Sequence, residues 1–323
     1  MIKRAATAIL TVLALAAVAG CSESAPSAGQ LVMGAPASPS MQVMAQIYAG
    51  ALRHAGSAVS MTVPRGTYRS LLDDMDATTV DLFPAFSGRL LAELAPQSAP
   101  PTADAVYTEL NRSLPQGVSV GDATTVSATP QVFVAASVAD RGGVTALADC
   151  ARLSPGLPLV VVGAPDGPTV DALSAAGCRF GPVESVPSTS AVVRRVAGGG
   201  AVGLLTPLDV AGDDAEGVSG DIRALTAPKS AKDDGASGTA ETSPSRSTHE
   251  AAPNGDEELA TGPRAEQLVP VYRTAALSRD QVKTVNKVAG EMTTADLATL
   301  ARKAAAGEPA AVLANGWLAE HGL

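Results

Sequence analysis

The side chains that most often carry chemistry are thinly spread along these 323 residues. The histidines, His54, His249 and His321, occur singly. Acid–base catalysis and zinc chemistry both rest on imidazoles and carboxylates at fixed mutual spacing. No His-Glu-x-x-His run and no glycine-rich phosphate loop with its lysine is present. The acid pairs Asp73-Asp74 and Asp213-Asp214 sit in polar contexts and read as solvated surface. Gly198-Gly199-Gly200 follows a helical pattern and precedes an apolar run, which is the order of a helix stop and the reverse of a phosphate loop. The reading is a non-enzymatic chain with no metal and no cofactor. What remains is aromatic. The nine rings are Tyr48, Tyr68, Phe83, Phe86, Tyr107, Phe133, Phe180, Tyr272 and Trp317. Phe83 and Phe86 flank Pro84 in VDLFPAFSGR and lead into Ser87-Gly88. Such a stretch is the end of a strand entering a turn, a place that packs a core corner or faces a ligand. The face of a ring is a binding surface for cations.

The elements that must hold these residues follow from the apolar pattern. Gln30–Gly34 reads as a strand, and Ser38-Pro39-Ser40 opens a helix with a hydroxyl at the cap and proline in the first turn. Val43, Ile47, Ala51 and Leu52 continue it at helical spacing until Gly56. AVSMTVP is a second strand, YRSLLDDM a second helix and VDLFPAF a third strand. This β-α-β-α-β order predicts an α/β fold with an open sheet. Ligands collect beyond the carboxyl ends of such strands, here at the loops 38–40, 66–68 and 83–88. Further along, TVSATPQVFVAASV reads as a strand carrying the chain into another lobe. ALADCARL is a short helix, PLVVVGAP a buried strand, TVDALSAAGC and SAVVRRVA helices, and AVGLLTP a strand. Residues 228–265 carry almost no large apolar side chains and read as a disordered insertion, because they cannot offset their ordering entropy. EQLVPVYR is a returning strand, followed by helices to the end.

The first residues give an address. Met1–Arg4 is basic, an apolar run follows, and Val18-Ala19-Gly20-Cys21 resembles a bacterial lipobox. The expectation is a signal peptide over 1–20, a lipid on Cys21 and a tether over 21–29, with the folded chain at the extracytoplasmic face of the cell membrane. Two cysteines remain, Cys150 and Cys178, and in an oxidising compartment two leftover cysteines pair. The formal charge of −9 and the lack of a basic face argue against nucleic acid as a partner.

The runs GAPASPSMQVMAQIYAGALRHAG, PRGTYRSLLDDM and VDLFPAFSGRLL, with AEQLVPVYR and MTTADLATLARKAAAGEPAAVLANGWLAEHGL near the end, resemble the substrate-binding lipoproteins of osmoprotectant ABC importers. That family takes glycine betaine, choline, carnitine and related compounds. The resemblance implies a two-lobed, periplasmic-binding-protein-like fold (type II) with an open sheet in each lobe. Lobe 1 would comprise 30–125 and 266–323, and lobe 2 126–222. It also implies a small polar solute as ligand and an ABC permease as partner. The family's Pro-Glu-Tyr-Thr-Gly supplies one ring of an aromatic cage for a quaternary ammonium. Pro84-Ala85-Phe86-Ser87-Gly88 keeps the ring, loses the hydroxyl and loses the acid. Where the family has Asn-Thr-Tyr on the crossover strand, this chain has Pro130-Gln131-Val132, and of the family's Thr-Asp only Thr206 remains. The ligand-binding set carried over is Phe86, Ser87, Tyr68, Ser38, Ser40, Gln131 and Thr206. The missing cage rings and the insertion leave an alternative open, a binding-protein fold retired from transport and serving as an envelope scaffold or sensor.

Overall fold

The structure, a computed structural model, describes residues 29–64, 66–100, 102–164, 166–211, 220–226 and 262–323. The expected signal peptide, the lipidated Cys21, nearly all of the tether and most of the expected insertion lie outside these residues. From the start of the described chain the elements are β1 (Leu31–Met33), α1 (Pro39–His54), β2 (Val59–Met61), α2 (Tyr68–Asp76) and β3 (Leu82–Phe86). Then come α3 (Ser87–Leu94), α4 (Ala103–Ser113) and β4 (Val118–Val120). A second group follows: β5 (Gln131–Ala135), α5 (Ala136–Gly142), a 3₁₀ turn (Leu147–Arg152), β6 (Leu157–Val162), α6 (Gly167–Ala175), β7 (Phe180–Val186), α7 (Thr189–Ala197), β8 (Val202–Leu205), α8 (Pro207–Val210) and β9 (Ile222–Leu225). The chain returns as β10 (Leu268–Arg273), α9 (Arg279–Glu291), α10 (Thr294–Ala305) and α11 (Ala310–His321).

Two five-stranded sheets result, ordered β2-β1-β3-β10-β4 and β7-β6-β8-β5-β9. In each, three parallel strands are joined by a strand of opposite direction, β10 against β3 and β5 against β8. This is the two-lobed periplasmic-binding-protein architecture, α/β in both lobes. The expected crossover strand is shorter than its apolar run suggests. Only Gln131–Ala135 is strand, and Ala136 already begins a helix.

Alternation along β3 explains the spacing of its rings. Leu82 and Phe86 pack with α1 and the C-terminal helices, while Phe83 and Ala85 pack with α2, α3 and α4. Phe83 and Phe86 therefore serve opposite faces of the sheet, as the two-residue period of a strand requires. Pro84 is tolerated because of its register. It faces Pro270 of β10, while Ser87 donates to Gln267 O at 2.8 Å and Arg273 donates to Asp81 O at 2.9 Å. Hydrogen-bonded pairs thus fall on odd positions of β3, and the two prolines face each other at a pair that exchanges no N–H bond between β3 and β10. Asp81, just before β3, fastens its neighbours. Oδ2 accepts from Val32 N of β1 at 2.9 Å, and Oδ1 accepts from Arg273 Nη1 of β10 at 2.7 Å.

The lobes are joined by antiparallel crossings. Ala128 N donates to Glu266 O at 2.9 Å, Glu266 N donates to Thr129 Oγ1 at 2.8 Å, and Ser127 bridges to Gln267. A further contact runs from α10 to the segment after α8, where Arg302 Nη1 donates to Ala211 O at 2.7 Å. Cys150 and Cys178 are joined by a disulfide inside a core cluster of lobe 2.

Candidate functional site

A cleft of about 780 Å³ opens between the lobes, within the ordinary range for small-molecule sites. Lobe 1 contributes the approach to α1 (Pro36, Ala37, Ser38, Met41), the turn before α2 (Gly66, Thr67, Tyr68) and the β3–α3 junction. Lobe 2 contributes the start of α6, including Asp166 and Thr169, and the crossings contribute Pro130, Arg264 and Glu266.

The centre of the lobe 1 wall is a unit built on Phe86. This ring is 3% exposed, and the guanidinium carbon of Arg89 lies 5.3 Å from its centroid. Tyr68 supports the ring from the side: Phe86 N donates to its hydroxyl at 2.8 Å, and its own ring stacks on the buried Phe83 with centroids 6.2 Å apart. Burial pushes the Tyr68 hydroxyl up to about 12, so it is neutral and available as acceptor. Helix α3 begins at Ser87 without a side-chain cap from its N-cap residue. Its free amides are met instead from far along the chain by Glu266. Oε2 of Glu266 accepts from Arg89 N at 3.0 Å, with the Gly88 amide also hydrogen-bonded to the carboxyl. Oε1 stands 3.8 Å from Arg89 Nε. Burial pushes this carboxyl up to about 7, against the opposing pull of Arg89, Arg264 and the two amides. Gly88 makes the arrangement possible, since a Cβ there would strike the Ala265 carbonyl oxygen and lie 3.0 Å from Glu266 Cδ.

Of the residues carried over from the resemblance, Ser38, Tyr68 and Phe86 line the cleft and four do not. Ser87 is 2% exposed and holds β10: its Oγ accepts from Gln267 N at 3.1 Å. Ser40 lies behind Ser38, their hydroxyls 3.4 Å apart. Gln131 faces a separate small cavity of about 30 Å³. Thr206 forms a capping box with Asp209 at the start of α8, its hydroxyl donating to Asp209 Oδ2 at 2.8 Å. For Ser87, Ser40 and Thr206 the hydroxyls are engaged by sheet pairing, a neighbouring serine and a local cap, and Gln131 stands at the start of β5 away from the cleft.

Sequence reasoning missed Arg89, Arg264, Glu266 and Asp166. Arg89 follows Ser87-Gly88 directly, so a charge at the mouth of a turn was the available signal. Arg264 and Ala265 stand within the stretch read as a disordered insertion, yet both are packed. Arg264 donates to Ser98 O at 3.0 Å from Nε and at 2.6 Å from Nη2, and Ala265 is buried. The described residues begin again at Gly262, within the expected 228–265 insertion. The spacing Gly117-x-Ser119-x-Gly121 matches a hydrolase nucleophile elbow on paper. Its serine lies inside β4 with its hydroxyl 2.8 Å from that of Thr274, so there is no strand-to-helix elbow. Among the described residues no cluster of histidines, cysteines and carboxylates could hold a metal ion.

The family model described as OpuAC, the substrate-binding domain of the ABC-type glycine betaine transport system, matches residues 29–197. The chain belongs to this family. It is a substrate-binding protein of glycine betaine-type ABC importers. Solved structures agree on the fold. A glycine betaine/carnitine/choline ABC transporter protein superposes with a TM-score of 0.66 at 14% identity, over 90% of this chain and 98% of that one. Apo YehZ from Escherichia coli gives 0.61 at 15% identity, over 91% and 99%. No curated protein matches the sequence.

Proposed function

We propose that this protein is a lipid-anchored, extracytoplasmic receptor that captures a small betaine-like or related polar solute and presents it to an ABC permease, without enzymatic activity. One observation carries the reading. A cleft of about 780 Å³ lies between two lobes joined by narrow crossings, and both lobes supply polar side chains to its walls. Closure of one lobe on the other around a solute is the motion such a layout allows. The disulfide in lobe 2 suits an oxidising compartment. The sequence Val18-Ala19-Gly20-Cys21 supports the anchor. The scaffold alternative has no comparable support.

Isothermal titration of the folded protein against glycine betaine, choline, carnitine and proline, followed by a cellular metabolite extract, tests the reading. Saturable binding of one compound is expected. Silence across the panel and the extract would sink it. Anchoring is tested by Cys21→Ala, which should move the protein from the membrane fraction to the soluble one.

A further inference from the structure

The cleft differs from a quaternary-ammonium cage in one physical respect, and this deepens the solute-binding reading on which it rests. We propose that Arg89 is the specificity-determining residue: the solute is held through a carboxylate or equivalent oxyanion on the Arg89 guanidinium, and not through a methylated ammonium in an aromatic cage.

The rings make the first part of the case. Only Tyr68 and Phe86 line the cleft among the described residues. Tyr48 and Phe83 are fully buried, and Phe133 and Trp317 are buried in the cores. Tyr107, Tyr272 and Phe180 pack against core clusters away from the cleft. A permanent cation needs open ring faces, since it has no N–H to donate. Of the two rings at hand, Phe86 is 3% exposed and already carries the Arg89 guanidinium at 5.3 Å. Tyr68 is stacked on Phe83. A quaternary ammonium would have to displace a like charge to reach Phe86.

The guanidinium makes the second part. The Arg89 side chain is 57% exposed, and its one ion-pair partner among the described residues, Glu266, stands 3.8 Å from Nε. Glu266 gives its hydrogen bonding to the amides of Gly88 and Arg89. The two Nη nitrogens of Arg89 make no hydrogen bond among the described residues. A planar fork, oriented by a ring beneath it and with free donors at a cleft wall, matches a carboxylate in two-point geometry. Arg264 adds positive charge nearby, although its Nε and Nη2 donate to the carbonyls of Ser98 and Pro96. For a zwitterion, the cleft acids other than Glu266 are sites for the positive end: Glu93 in lobe 1, and Asp166 in lobe 2, whose Oδ2 also accepts from Thr169 N and Thr169 Oγ1 as the cap of α6.

The test is the ratio of affinities for two probes that differ in the acid: glycine betaine, with a carboxylate and a quaternary ammonium, and choline, with the ammonium alone. Wild type should bind glycine betaine at least tenfold tighter than choline by titration calorimetry. Arg89→Gln should reduce that ratio at least tenfold, and Arg89→Lys, which keeps charge but loses the fork, should fall between. Circular dichroism and thermal melts on each variant confirm that the exposed substitution leaves the fold intact. Choline binding as tightly as glycine betaine, or an unchanged ratio in a folded Arg89→Gln, would overturn the assignment while leaving the protein a solute receptor. No binding of either probe or of any extract component would overturn the receptor reading itself.

Discussion

Glu266 offers the sharpest energetic test of the site, because its carboxyl is buried at the junction of a crossing, a helix terminus and the cleft. Its folded-state value lies near 7, against an ordinary 4.5. That gap corresponds to about 3 kcal/mol of preference for the protonated form in the folded protein. The sign follows from proton counting. Between pH 4.5 and 7 the folded state binds the proton more tightly than the unfolded chain does, so the protonated carboxyl contributes stability that is fully present below about 4.5. That contribution is lost as pH rises through about 7, and above pH 8 the whole burial cost of the charge is felt.

Glu266→Gln keeps an oxygen that can accept from the Gly88 and Arg89 amides and removes the titration. Denaturant unfolding of both proteins at pH 4.5, 6, 7 and 8 gives the difference in stability, from which the other titrating groups largely cancel. The variant should gain on wild type by about 3 kcal/mol between pH 4.5 and 8, with most of the change complete by pH 7. At pH 4.5 the two should differ little, since both side chains are then neutral. A difference that stays constant over this range would refute the reasoning, because it would mean that Glu266 titrates as an ordinary carboxyl and that its surroundings are wet.

The remaining predictions concern the ring and the staple. Tyr68→Phe removes the acceptor of Phe86 N, a buried donor at the end of β3, and should cost about 1–3 kcal/mol in urea unfolding; an unchanged midpoint would show that another group takes over the amide. Replacing Cys150 and Cys178 together by serine opens a loop of 28 residues, for which chain entropy implies a loss of about 4 kcal/mol. The loss should appear in the unfolding of lobe 2 and leave solute affinity within twofold, because the pair is packed in the lobe 2 core, away from the cleft; a large affinity change would place the staple in the closing motion instead.

Much of the frame was legible in the chain because it rests on periodicity. The apolar spacing of Val43, Ile47, Ala51 and Leu52 gave α1, and all four are buried. Short apolar runs gave the strands, and TVSATPQVFVAASV was readable as the strand that carries the chain into lobe 2. Pairing of strands far apart in sequence was harder. β10 belongs beside β3, yet the two are separated by the whole of lobe 2, and nothing local announces that Pro84 will face Pro270. Caps were misread for a related reason. Ser87, Ser40 and Thr206 have the right side chains for a ligand, but a hydroxyl near a helix start bonds first to its own backbone or to a neighbour. Glu266 was missed because its role is non-local: it caps α3 through the amide of Arg89, 177 positions earlier, and that of Gly88.

That non-local cap also explains how this site can depart from the cage its fold suggests without losing its frame. The β3–α3 junction is held from behind by Ser87 on Gln267, by Glu266 on the first amides of α3 and by Tyr68 on Phe86 N. The Arg89 side chain is mostly exposed and hangs from that turn, touching the three contacts through its 3.8 Å approach to Glu266. With Arg89 over it, the ring that resembles a cage member orients an internal cation. In lobe 1 the residue after Gly88 then decides whether the wall beside Phe86 presents a ring or a guanidinium to the solute.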